Sequence, residues 1–322
     1  MTNWRSAEAD ASPLEVVKVS LTTIGGIGGT GYLVIKYRER ASAERAERDA
    51  EQVRAEQGLL SGVQQLGSES PQVRIAGVYA LADVADTYRS DYRQRVVNIL
   101  CGYLRTPRGT WQTNAKDDDP ASDKTYMSND GAVESTVLEV LSRHLRKRRE
   151  KTDAHGAVIQ DVDDDQLWCD CTIDLHDAVI TEPLSFAGVT LASDVTFWGA
   201  TFQRDAIFWR ATFNASTIFW GATFNADTFF WDATFNADVT FRDTTYNDYV
   251  DFRGATFTNL ALFEGATLIR YANFQGAIFN QSAPPIGFPR EIVDHDTDLP
   301  KGARWAWFND EGEVIEEDSG SS

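Results

Sequence analysis

From residue 173 to residue 282 the chain consists of ten consecutive units of 11 residues without an insertion, and such a period limits the possible folds more than any other feature. The third position is Phe in nine units (Phe186, Phe197, Phe208, Phe219, Phe230, Phe241, Phe252, Phe263, Phe274) and Leu175 in the first. The eighth is always large and apolar: Ile180, Leu191, Phe202, Phe213, Phe224, Phe235, Tyr246, Phe257, Leu268, Phe279. The sixth is Ala in eight units. Large residues alternately five and six apart cannot share one face of a helix of period 3.6, and Thr, Phe and Val favour strands. Each unit resolves into two five-residue steps plus one spare residue, with the large residue central and a small one two before it, both pointing inward along extended backbone. The pattern predicts a β-solenoid in which two units close one coil, rising about 24 Å over five coils at roughly 4.8 Å each. Sixteen of the 18 Phe lie in this stretch, so it contains the main core.

Units such as VTFWGATFQRD, with Ala-Thr-Phe-Asn-Ala at 211–215 and again at 222–226, resemble the pentapeptide-repeat proteins. The resemblance covers about 110 residues and implies a right-handed quadrilateral β-helix with Phe or Leu stacked inside. The eleventh residue departs from that pattern and predicts one bulge-like corner per unit. The segments QLGSESPQVRIAGVYALADVAD and VVNILCGYLR are also similar to the N-terminal part of membrane-anchored bacterial members. The expected chain is thus α+β and multi-domain, with an N-terminal transmembrane helix and small helical domain followed by the repeat solenoid.

With 22 residues per coil, the fourth positions form two columns: Trp198, Trp220, Arg242, Glu264 and Trp209, Trp231, Arg253, Gln275. Exposed Trp and Arg are typical binding hot spots, which makes Trp198, Trp209, Trp220, Trp231, Arg242 and Arg253 candidate docking residues. The same columns equally fit ring stacking and cation–π steps that only brace the solenoid wall. Asn214 with Asn236, and Asn225 with Asn247, are placed for structural ladders.

Residues 19–35 run without a charge but include five Gly and three Thr, a short candidate span. Lys36, Arg38, Arg40, Arg45, Arg48 and Arg54 follow it whereas only Arg5 and Lys18 precede it, which puts the C-terminal bulk in the cytoplasm and the protein in the cell membrane as a single-pass chain. Gly25 and Gly29 have the spacing of close helix pairs, so a homodimer is expected there. Gly26, Gly28 and Gly31 also spell a dinucleotide turn, but no strand or acid follows where that motif needs them.

The remaining boundaries follow from composition. Residues 1–18 precede the span; 36–66 hold six bases and six acids and read as a solvated connector helix, with Ala43, Ala46, Ala50, Leu59, Val63 and Leu66 as a thin stripe. Residues 67–160 read as three helices, the first opened by Ser70-Pro71 and carrying Val73, Ala76, Ala80, Leu81 and Val84, with a polar loop over about 107–130 and a basic end at 143–151. Residues 161–282 hold the solenoid, Asp161 to Asp165 forming its linker, and 283–322 an acidic tail of ten acids against three bases whose last residues read as disordered.

Lys plus Arg number 30 against 49 Asp plus Glu, so the net charge of −19 repels a nucleic-acid backbone. Three cysteines are too few for a disulfide framework. His144, His155, His176 and His295 are scattered without a recognisable triad, and Cys169, Cys171 and His176 lack the paired CxxC spacing of zinc sites. The expectation is therefore no catalysis, no metal and no cofactor, with a protein partner bound by a membrane-tethered scaffold. The alternative implied by the resemblance is a soluble acidic DNA mimic regulating a topoisomerase such as DNA gyrase.

Overall fold

Every unit contributes two short strands, at its first and second and its seventh and eighth positions, beginning with Ile173–Asp174 and Val179–Ile180. The computed structural model describes residues 13–113, 124–146, 151–152, 158–160, 167–309 and 314–315. Register confirms the coil length: Thr201 pairs with Thr223 and Phe202 with Phe224, in parallel, 22 residues on. The strands stack into four sheets. The first face runs from Ile173–Asp174 to Ala261–Leu262 and the second from Val179–Ile180 to Thr267–Leu268. The third runs from Leu184–Ser185 to Ala272–Asn273, and the fourth from Thr190–Leu191 to Ile278–Asn280 and beyond.

The spare residue resolves into a turn, not a β-bulge. Strands alternate between a corner at positions 3 to 6 and a shorter one at positions 9 to 11. In the longer corner Ala200 N–H donates to the Phe197 carbonyl at 3.0 Å, as do its counterparts in the other units, Ala211 to Phe208 and Ala222 to Phe219 among them. Position 5 has positive φ in all ten units, from Asp177 (54°) through Gly199 (64°) and Gly221 (66°) to Gly276 (75°), the requirement of a type II turn at its third residue. Six of the ten are Gly, which adopts this conformation without steric cost; Asp177, Arg210, Asp232 and Asp243 accept it.

Inside, the expected rings are buried and stacked. Phe197, Phe219, Phe241 and Phe263 form one column with centroids 4.9, 5.1 and 4.9 Å apart. Phe208, Phe230, Phe252 and Phe274 form the opposite one. Phe202, Phe224 and Tyr246, and Phe213, Phe235, Phe257 and Phe279, fill the remaining two. Thr244 replaces Ala at a sixth position, and its hydroxyl donates to the Phe219 carbonyl at 2.9 Å. Tyr246 is the exception: its hydroxyl is buried without a hydrogen-bond partner, and burial pushes its pKa well above the usual phenol range. Tyr246→Phe keeps the ring stack and removes this desolvated group, so it is expected to raise stability by about 1 kcal/mol in urea denaturation; a loss of stability overturns that reading.

The solenoid continues past Ser282. Phe263 N–H donates to the Ile286 carbonyl at 2.7 Å, Phe288 stacks on Phe263 at 4.5 Å, and Arg304–Phe308 joins the fourth face in parallel to Ile278–Asn280, with Val314–Ile315 antiparallel beside it. The segment read as an acidic tail therefore begins with a further partial coil. Its final residues, 316–322, lie outside the described residues.

The chain divides into two compact units, Met1–Gln57 and Gly58–Ser322. Residues 19–35 and 36–66, expected as separate span and connector, form one helix, α1 (Pro13–Leu66). No helix among the described residues is long and apolar enough to cross a membrane, since Gly and Thr dilute the apolar residues of 19–35. In the first unit Lys36 pairs with Glu39 and Arg40 with Glu44, and Ala43, Ala46 and Ala50 are exposed.

In the second unit the end of α1 packs against α2 (Pro71–Tyr88) through glycines. A Cβ on Gly62 would meet the Leu81 side chain at 2.7 Å, and one on Gly77 the Leu66 nitrogen at 2.7 Å. Leu59 and Leu66 are accordingly buried, whereas Val63 is exposed. On α2 the buried face is Gly77, Val78, Leu81, Ala82, Val84 and Ala85, so Val73 and Ala76 lie outside the core they were expected to join. Helices α3 (Ser90–Arg105) and α4 (Gly131–Leu145) complete the group. The expected loop between them contains an antiparallel hairpin, Gly109–Thr113 with Lys124–Ser128, braced by Trp111 edge-on to Tyr126 at 5.2 Å. Helical group and solenoid share one compact unit, not two domains. Glu134 of α4 and Arg105 of α3 reach the first coil, and the Trp168 indole stacks on His144 at 4.0 Å while donating to Asp86 at 2.9 Å. The linker acids Asp161, Asp163, Asp164 and Asp165 lie outside the described residues, as do Lys147, Arg148 and Arg149 of the basic end and His155.

Candidate interaction surface

The fourth position of each unit sits in the longer corner, so side chains from successive coils pile up outside it. The corner between the first and second faces carries His176, Trp198, Trp220, Arg242 and Glu264. The one between the third and fourth faces carries Trp209, Trp231, Arg253 and Gln275. These corners are diagonally opposed. The six candidate docking residues thus form two separate ridges instead of one flat surface.

The ridges differ in how far their rings are occupied. Trp209 and Trp231 lie parallel, 5.4 Å apart with planes at 11°. The Arg210 guanidinium sits 5.1 Å from the Trp209 ring and that of Arg253 5.3 Å from Trp231. Arg253 is held there by the buried Asp251 carboxylate, with hydrogen bonds of 2.6 to 3.0 Å. Trp198 and Trp220 are 6.2 Å apart and tilted by 30°. Arg242 makes no cation–π contact with them among the described residues and pairs with Glu264. The Trp220 indole donates to Asp243 at 2.9 Å. Trp198 and Trp220 are 51% and 48% exposed, Trp209 and Trp231 38% and 41%, so the first ridge offers more ring to solvent.

The Asn ladders form: Asn236 donates to Asn214 at 2.8 Å and Asn247 to Asn225 at 2.7 Å. Outward acids concentrate at corners, and several are neutralised: Asp232 by Arg210, Asp248 by Arg270 and Glu264 by Arg242.

His176 is turned toward Asp174 at 2.7 Å, and Arg105 approaches both. The Asp174 carboxyl lies below the usual range: burial raises it, but the His176 hydrogen bonds and Arg105 outweigh that. Among the described residues no group of three or more His, Cys, Asp or Glu is placed to hold a metal ion. Cys101, Cys169 and Cys171 are buried, and burial pushes the Cys101 and Cys171 thiols up to about 12. Such thiols are protonated and unreactive at neutral pH. Ellman's reagent is therefore expected to label the native protein slowly and all three thiols quickly in denaturant; rapid native labelling of Cys101 or Cys171 contradicts this.

Four parallel sheets wound around a stacked aromatic core define a quadrilateral β-solenoid. The family model for pentapeptide repeats (9 copies) matches residues 247–284. The solenoid is a pentapeptide-repeat region. No curated protein and no solved structure matches it.

Proposed function

We propose that the protein is a non-catalytic scaffold whose solenoid binds a protein partner, tethered to a membrane through residues 19–35. A repeat solenoid is a rigid rod presenting a long regular surface. The observation that carries the reading is the Trp198–Trp220 ridge, two half-exposed indoles without an intramolecular cation among the described residues, the residue type and exposure of binding hot spots. The DNA-mimic alternative has less support, because five of the solenoid's acids, Asp174, Asp232, Asp248, Asp251 and Glu264, are paired with Arg.

A photocrosslinking residue placed at Thr223, on the second face beside the ridge, tests the scaffold in the native host. One discrete crosslinked partner is expected, lost in the Trp198→Ser, Trp220→Ser double variant with the thermal melt preserved. Loss of folding in that variant instead assigns the indoles to bracing the wall. The tether has its own test: full-length protein in the pellet after alkaline carbonate extraction, and a version starting at Tyr37 in the supernatant. Full-length protein in the supernatant rejects the tether.

A further inference from the structure

At the corner between the third and fourth faces both indoles already have a cation over them, from Arg210 and Arg253. At the corner between the first and second faces neither has one among the described residues. The neighbouring fifth positions explain the difference. Beside Trp209 and Trp231 stand Arg210 and Asp232, which pair with each other. Beside Trp198 and Trp220 stand Gly199 and Gly221, both at positive φ, and a Cβ built on Gly221 meets nothing within 4 Å. The flank of the Trp198–Trp220 pair is therefore open beside Trp220 and is closed beside Trp198 by the Asp177 carboxylate, which lies where a Cβ on Gly199 would be. The Trp198 indole N–H has no acceptor among the described residues, and carboxylates stand at both ends of the pair, Asp177 one coil below Gly199 and Asp243 one coil above Gly221.

We propose that the Trp198–Trp220 corner binds an extended proline-rich segment carrying a basic residue, which rests on the scaffold reading above. A polyproline II strand has no internal hydrogen bonds, so its carbonyls are free to accept from an indole N–H, and its rings pack on aromatic side chains at little entropic cost. The repeats are commensurate: three polyproline II residues rise about 9.3 Å and two coils about 9.6 Å. A proline seated against Trp198 thus brings the residue three positions on to the level of Arg242 and Asp243, and one seated against Trp220 to the level of Glu264. Arg242 is committed to Glu264, which leaves the Asp243 carboxylate to receive a Lys or Arg. The net charge of −19 adds long-range attraction for a basic ligand.

The test titrates the full chain with acetyl-Pro-Pro-Pro-Pro-Arg-Pro-Pro-amide, and with a control in which every proline is alanine, read by tryptophan fluorescence and calorimetry. Saturable binding of the proline peptide is expected, with the control at least about tenfold weaker. Trp198→Ala and Trp220→Ala should each weaken binding about tenfold, Asp243→Asn about threefold, and Trp209→Ala less than about twofold. Trp220→Phe, which preserves an aromatic ring, guards against a folding artefact and should retain most of the affinity. Equal binding of the alanine control reduces the interaction to charge and overturns the proposal. So does an equal effect of Trp209→Ala, or no saturation with the wild-type chain. If the peptide fails while the Thr223 crosslink to a partner persists, the proline-rich ligand is wrong and the scaffold stands; if both fail, both fall.

Discussion

Phe219→Ala is expected to lower the unfolding free energy by about 3–5 kcal/mol, the cost of removing a fully buried aromatic ring and leaving a cavity. Phe219 is completely buried at the middle of the stack, between Phe197 at 4.9 Å and Phe241 at 5.1 Å. It also makes edge contacts to Phe208 and Phe230 in the opposite column at 5.7 and 5.5 Å. In a solenoid each coil is stabilised by its immediate neighbours, so a central cavity weakens two interfaces at once. Phe288, only partly buried at the C-terminal end, is stacked on one ring, Phe263, and makes edge contacts to Phe274 and Phe279 at 5.9 and 5.6 Å. Phe288→Ala should cost about a third to a half as much. Guanidinium denaturation of both variants measures the difference; equal costs, or a Phe219→Ala effect below about 1.5 kcal/mol, contradict a core held by ring stacking.

The repeat made most of the solenoid legible in advance. Positions 3 and 8 had to point inward because nothing else in the chain supplies enough apolar volume, and the 22-residue offset placed Trp198 beneath Trp220 and Trp209 beneath Trp231, as the ring contacts show. What stayed hidden depends on three-dimensional neighbours. The fifth position mixes Gly with Asp and Arg, so its positive φ is visible only once the turn is built. That position also separates the two ridges, by putting Arg210 beside one indole and Gly221 beside another. The extra coil after Ser282 was obscured because Phe288 follows Phe263 by 25 residues instead of 22, which breaks the period while preserving the stack. The cation–π step expected in both columns forms only at Arg253, because Arg242 has an acid, Glu264, directly above it and Arg253 has Asp251 beside it on its own coil.

Nothing in the repeat announced Glu134, yet it joins the helical group to the first coil. Its side chain is fully buried on α4, and both oxygens are saturated as acceptors. One takes the backbone N–H groups of Thr181 and Glu182 at 2.5 and 3.0 Å; the other takes the Thr181 hydroxyl at 2.9 Å and the Arg108 guanidinium at 3.1 Å. Arg108 is itself buried and also donates to the Val179 carbonyl on the second face at 2.8 Å. Breaking such a pair leaves an uncompensated charge out of water, so Glu134→Ala is expected to destabilise by about 3–5 kcal/mol. Glu134→Gln should rescue little, because its amide turns donors toward groups that are themselves donors. Replacing both partners, as in Glu134→Leu with Arg108→Met, should recover most of the loss, since a buried ion pair is often no more stable than the apolar groups that fill its space. Circular dichroism during urea denaturation reads all three. In Glu134→Ala the helical signal should melt before the solenoid, because the corner at 181–183 carries the buried charge-assisted contacts of α4 to the first coil. A single unshifted transition would mean that other contacts, among them Arg105 to Asp174, Gln94 to Thr172, Ser142 to the Ser185 carbonyl and Arg146 to the Ala187 carbonyl, suffice to hold helices and coil together.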